Sequence, residues 1–113
     1  MMQLHQNINK CLFIVISFLI SSLLYAQKYK KLDHIIKTNS SEMYVNPEKV
    51  IKTGLLIVKE AGKNVDYKIK GFKMISDGYS SKRDYEKSLE YIVKANQLLP
   101  LTNNKMLTII ILN

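Results

Sequence analysis

The sequence predicts an all-α protein: antiparallel helical hairpins in a short α-solenoid, with about four helices and the start of a fifth. Three observations predict it. From Gln27 onward, apolar residues recur every three or four positions, which places them on one helix face. Asn46-Pro47-Glu48 and Asp84-Tyr85-Glu86 are helix-start signatures, while Gly62 and Pro100 stand where helices stop. The interruptions are short and polar, and no paired alternating segments require a sheet.

Residues 1–26 come first and read as a targeting segment. An apolar run, Cys11 to Ala26, follows Lys10 and is followed at once by Gln27, Lys28, Lys30 and Lys31, as in a secretory signal peptide. Such a run spans roughly 24 Å as a helix, short of the ~30 Å hydrocarbon core of a bilayer, so cleavage after Ala26 is expected. The alternative is an uncleaved anchor formed by residues 11–26. The segment ends Tyr-Ala-Gln and resembles signal peptides of Gram-negative bacteria, which implies a periplasmic or secreted chain.

The first helix is predicted from about Lys28 to Thr38, with Tyr29, Leu32, Ile35 and Ile36 on one side and the polar stretch Thr38 to Ser41 as its break. The second should begin at Pro47, with Asn46 as cap, Glu48 at the positive end of the dipole and Val45 packing on Val50. Its stripe is Val50, Ile51, Gly54, Leu55, Ile57, Val58 and Ala61, with Leu56 facing away and Gly62 as a left-handed stop. Lys63 to Val65 make the next turn.

The third helix, about Asp66 to Tyr79, places Ile69, Phe72, Ile75 and Tyr79 on one face. The fourth starts after Asp84 and carries Tyr85, Leu89, Ile92, Val93 and Ala95 inward, until Pro100 ends it. Beyond it, Met106 to Leu112 is short, apolar and β-branched, and its period alone does not decide between helix and strand.

Composition excludes several functions. Cys11, the only cysteine, lies in the targeting segment, so no disulfide, thiolate nucleophile or cysteine metal site is expected beyond it. His34 is the one histidine left after signal removal and is expected on a helix surface; neither a nucleophile–base pair nor a zinc cluster can be assembled in the usual way. Asp33, Asp66, Asp77 and Asp84 fall near predicted helix ends, where carboxylates serve as caps. Gly54, Gly62, Gly71 and Gly78 are isolated and make no phosphate loop. The net charge is +8, but the lysines are spread over every helix and Arg83 is the only arginine, so a basic solvated surface is expected and no nucleic-acid binding by this chain alone. No catalytic residue, metal or cofactor is expected, and a membrane partner is expected only if the signal segment is retained.

Within residues 65–102, the stretch 69–102 resembles the tetratricopeptide repeat (TPR), a helix-turn-helix unit of about 34 residues. Phe72 stands at the family's first aromatic position, Ile75 at its leucine, Ser76 at its small glycine position and Tyr79 at the tyrosine closing the first helix. Asp84 and Tyr85 take the turn and the start of the second helix, Ser88 and Ala95 its small positions, Ile92 its aromatic position, and Pro100 the closing proline. The small residues would let the backbones approach while Phe72, Tyr79 and Tyr85 fill the wedge, with Leu89 also packed inward. Arg83 departs from the pattern, standing where the family has glycine.

The resemblance implies a non-enzymatic protein–protein interaction module, an exported scaffold binding a peptide or partner helix along first helices, with Lys68, Lys73 and Tyr79 as groove residues. Residues 27–64 read as a degenerate preceding hairpin and 103–113 as the truncated start of a further helix. Met106 and Ile109 fall one repeat length after Phe72 and Ile75, and that helix would display Met106, Leu107, Ile109, Ile110, Ile111 and Leu112. A truncated product is therefore expected. The alternative is the truncated sensory segment of a membrane-associated bacterial transcriptional regulator, without its DNA-binding domain.

If the small positions set a close helix contact, Ala95→Leu destabilises by about 1 to 3 kcal/mol while Leu56→Ala is near neutral. Thermal melts of both variants give the order.

Overall fold

A computed structural model describes residues 2–112; Met1, Asn113 and the side chains of Met2 and Leu112 lie outside what it describes. Among the described residues there are five α-helices and no strand: α1 Met2–Ser40, α2 Pro47–Ala61, α3 Val65–Ser81, α4 Tyr85–Leu98 and α5 Lys105–Leu112, with a 3-10 turn at Leu99–Leu101. The all-α expectation is met, and the segment of undecided period is helical. The chain divides into two units, residues 1–33 and 34–113.

The first unit is a single helix, and residues 3–28 are exposed along its whole length. Lys28, expected to open a new helix, is an interior residue of α1. The reason is local: no glycine or proline occurs before Pro47, so nothing at the end of the apolar run breaks the helix. The helix also outlasts the predicted stop at Thr38. Thr38, Asn39 and Ser40 donate side-chain hydrogen bonds to the carbonyls of His34, Ile35 and Ile36 at 2.7, 2.8 and 2.6 Å, so these polar side chains fold back on the preceding turn without interrupting the helix.

In the second unit α2 starts at Pro47 as expected. The Asn46 side chain accepts the Lys49 N–H at 3.2 Å, and Gly62 ends the helix with φ +56°. Val45 does not staple onto Val50: its side chain is exposed, because its amide is held to the Glu42 carbonyl in a turn ahead of the cap, while Val50 is buried. Asn64, placed in the turn by the sequence, is the cap of α3 and accepts the Tyr67 N–H, so that helix begins at Val65.

The tightest packing joins α2 to α3 through glycine. A Cβ at Gly54 would lie 2.9 Å from the Gly71 carbonyl oxygen and 2.7 Å from Ile75; one at Gly71 would lie 3.0 Å from the Gly54 oxygen. Further along, a Cβ at Gly78 would meet Ile51 at 2.6 Å and the Pro47 oxygen at 3.1 Å. Pairing of 54 with 71 and of 47 with 78 makes the helices antiparallel. Val50, Ile51, Ile57 and Ala61 of α2 are buried, as is Ile75 of α3, with Ile75 against Gly54 and Ile51 against Gly78. These glycines, read in the sequence as isolated, share one seam.

The turn into α4 depends on Arg83, which has φ +63°. That left-handed conformation suits glycine, the residue the resembled pattern has here. Arg83 and Asp84 amides donate to the Ser80 and Tyr79 carbonyls, each at 2.9 Å, closing the preceding helix, and the Asp84 side chain accepts the Lys87 N–H to open the next.

Across α3 and α4, the Ser76 Oγ donates to the Ser88 carbonyl at 2.8 Å and lies 3.0 Å from the Ser88 Oγ. Ala95 is fully buried with Ile69. Pairs 76–88 and 69–95 again specify an antiparallel arrangement. The wedge between these helices is filled differently from expectation: Tyr91, not Tyr85, stacks on Tyr79 with ring centres 5.8 Å apart and lies 6.3 Å from Phe72. Tyr85, Leu89 and Val93 are exposed, the first two by 65% and 63%. Their spacing of four makes them a strip, and because Ser88 and Ala95 fix which edge of α4 meets α3, the strip one position along is turned away.

Helix α5 is covered on one side only. Leu107 and Ile111 are buried with Ile69 and Ala95, and Val65, Phe72, Ile92, Leu98 and Leu99 pack around them. Met106 and Ile109, expected to repeat the roles of Phe72 and Ile75, are exposed, and Ile110 with them; the expectation that Leu107 and Ile111 are also displayed is overturned. The entry to α5 sets this rotation: Pro100 lies in the 3-10 turn, Thr102 donates to Asp66, and the Asn104 side chain accepts the Met106 N–H at 3.1 Å.

Two outcomes are expected in thermal or urea unfolding. Gly54→Ala destabilises, since a clash with backbone outweighs the roughly 1 kcal/mol that alanine gains over glycine in a helix. Arg83→Gly stabilises by up to about 1 kcal/mol by relieving the left-handed conformation.

Candidate functional site

Helix α3 is buried by α2 through its glycines and by α4 through Ser76, which leaves a third face. That face is the floor of a cleft of about 370 Å³. Ile69, Lys70, Lys73, Met74 and Asp77 line it from α3, Ile36, Ser40 and Met43 from the end of α1 and the turn after it, and Leu107, Ile110 and Ile111 from α5. All belong to the second unit. The cleft walls are mostly apolar, with the charges of Lys70, Lys73 and Asp77 among them.

Its charges are partly organised. Lys73 and Asp77, one helical turn apart, pair at 2.6 Å, and the Lys70 ammonium lies 4.8 Å from the centre of the Tyr67 ring. Asp77 is thus an interior ion-pair partner, not a cap, and Asp33 likewise falls inside α1. Asp84 does cap a helix, and Asp66 takes the Thr102 hydroxyl. His34 is exposed. Among the described residues no three His, Cys, Asp or Glu side chains are grouped to hold a metal ion.

Of the three groove residues expected from the sequence, only Lys73 lines the cleft. Lys68 is half-buried elsewhere on α3. Tyr79 is committed to Tyr91, with the ammonium groups of Lys87 and Lys82 at 5.2 and 5.9 Å from its ring centre. Lys82 also bonds Glu48 at the start of α2, closing the end of the seam where Gly78 meets Pro47. That bond holds the Glu48 carboxyl below the usual carboxylate range and lifts Lys82 above the usual lysine range. Its contribution is present at neutral pH; it is lost as pH falls through the lowered Glu48 pKa or rises through the raised Lys82 value.

The cleft row on α3 was visible as a spacing: 70, 73, 74 and 77 form one helix face, next to the face chosen from the larger apolar residues. Ile36, Met43 and Ile110 carried no comparable signal, since they reach the cleft only through the tertiary fold. No family model, curated protein or solved structure matches the chain.

Proposed function

We propose that this chain is a non-enzymatic protein–protein interaction module of tetratricopeptide type, an exported scaffold that holds a peptide or partner helix in the cleft on α3. The observation that carries the proposal is the place of the cleft, on the first helix of the 65–102 hairpin, where the resembled family takes its ligands. The Ser76–Ser88 contact, the buried Ala95 and the left-handed Arg83 support the repeat reading. The apolar lining selects one or two large apolar side chains, and Lys70 and Lys73, against the single carboxylate of Asp77, favour an acidic residue beside them.

A second reading is favoured by α1. The run expected to fall short is part of one continuous helix, long and apolar enough to cross a membrane and with none of its apolar window buried, which supports the same module as the anchored sensory segment of a membrane-associated bacterial regulator. Export with cleavage predicts a mature chain beginning at Gln27, whereas anchoring predicts the intact N-terminus in the membrane fraction; mass analysis of fractionated cells separates the two.

The cleft is tested with fluorescein-labelled peptides bearing two leucines three or four residues apart and flanking glutamates, titrated against the full chain in detergent. Saturable binding that weakens about tenfold in Lys73→Glu and in Ile110→Asp is expected. Peptides that bind both variants as they bind the parent protein, or bind none of the three, contradict the assignment.

A further inference from the structure

The second unit carries two exposed apolar strips that the cleft does not use. On α4 it is Tyr85, Leu89 and Val93; on α5 it is Met106 and Ile109. Both are on the side of their helix away from the buried cluster of Ile69, Ala95, Leu107 and Ile111, and α5 packs on α3 and on the C-terminal half of α4, around Ile92, Ala95 and Leu98. Large apolar side chains concentrated in this way mark an interaction surface.

Their charges differ in sign. Glu86 adjoins the α4 strip and Lys105 lies one helical turn before Ile109 on α5; both are exposed and neither forms a salt bridge among the described residues. An acidic-edged strip and a basic-edged strip on the same unit are complementary to each other, and they cannot meet within one chain because each helix turns its strip outward. Two copies related by a twofold axis can satisfy both at once, since an isologous contact pairs each strip with its opposite number twice.

We propose that the chain forms a twofold homodimer in which the α4 strip of each copy receives the α5 strip of the other, with Glu86 facing Lys105 across the interface. Ile110, on the cleft side of α5, takes no part, so the dimer leaves both α3 clefts open to ligand. The contact joins apolar side chains in its middle and places the two ion pairs at its rim, where they set register more than affinity.

The test is sedimentation equilibrium of the full chain in density-matched detergent, from about 10 to 100 µM, the range that resolves a micromolar dissociation constant. A dimer is expected, with Leu89→Lys shifting the dissociation constant upward at least tenfold. Glu86→Lys should weaken it several-fold, and Glu86→Lys combined with Lys105→Glu should restore it, an outcome that damage to folding cannot imitate. Circular dichroism establishes that each variant keeps its helices. A monomer across the whole range overturns the proposal, as does a dimer indifferent to Leu89→Lys or a charge reversal that fails to rescue.

Discussion

The close crossing of α2 and α3 at Gly54 and Gly71 is the contact on which the rest of the second unit depends. Backbone meets backbone there, so a side chain on either residue would force the helices apart. Ile51, Ile57 and Ile75 are buried on these two helices, and burying such residues contributes about 1.5 to 3 kcal/mol each relative to exposure, before ordering costs. The crossing also fixes the rotation of α3. With Gly71 and Gly78 turned toward α2 and Ser76 toward α4, the remaining row of Lys70, Lys73, Met74 and Asp77 has only the cleft to face.

Stability should be graded outward from that seam. Helix α3 is covered on two sides by long helices, while α5 has eight residues and rests on Leu107 and Ile111. An isolated helix of that length is marginal in water, so α5 is held mostly by its tertiary contacts and by the Thr102–Asp66 bond at its entry. One wall of the cleft is therefore its least secured part. A wall that opens locally at little cost lets a cleft admit side chains of different shape, which suits a binding module.

Helix starts were legible because they rest on local chemistry: Asn46-Pro47 and Asp84 are capping signals whatever surrounds them. The serine and alanine positions were legible too, since small residues at those spacings have few other uses. What the sequence concealed was rotation. Tyr85 and Leu89 look like core residues, yet a face some 100° around a helix is decided by which neighbour covers it, and only the fold shows that Tyr91 lies toward α3. The glycines were misjudged for a related reason, because Gly54 and Gly71 acquire meaning only when two helices are laid together. In the candidate site, Lys73 was found from its helix; Ile36, Met43 and Ile110 come from distant stretches of chain.

Native-state hydrogen exchange of the full chain tests the dependence on the seam most directly. If α2 and α3 close as one layer, amides around Gly54–Val58 and Gly71–Ile75 share a single opening free energy, the highest in the second unit, and those of α5 exchange well before them. Protection of α3 with α4 that survives the opening of α2 would contradict the account.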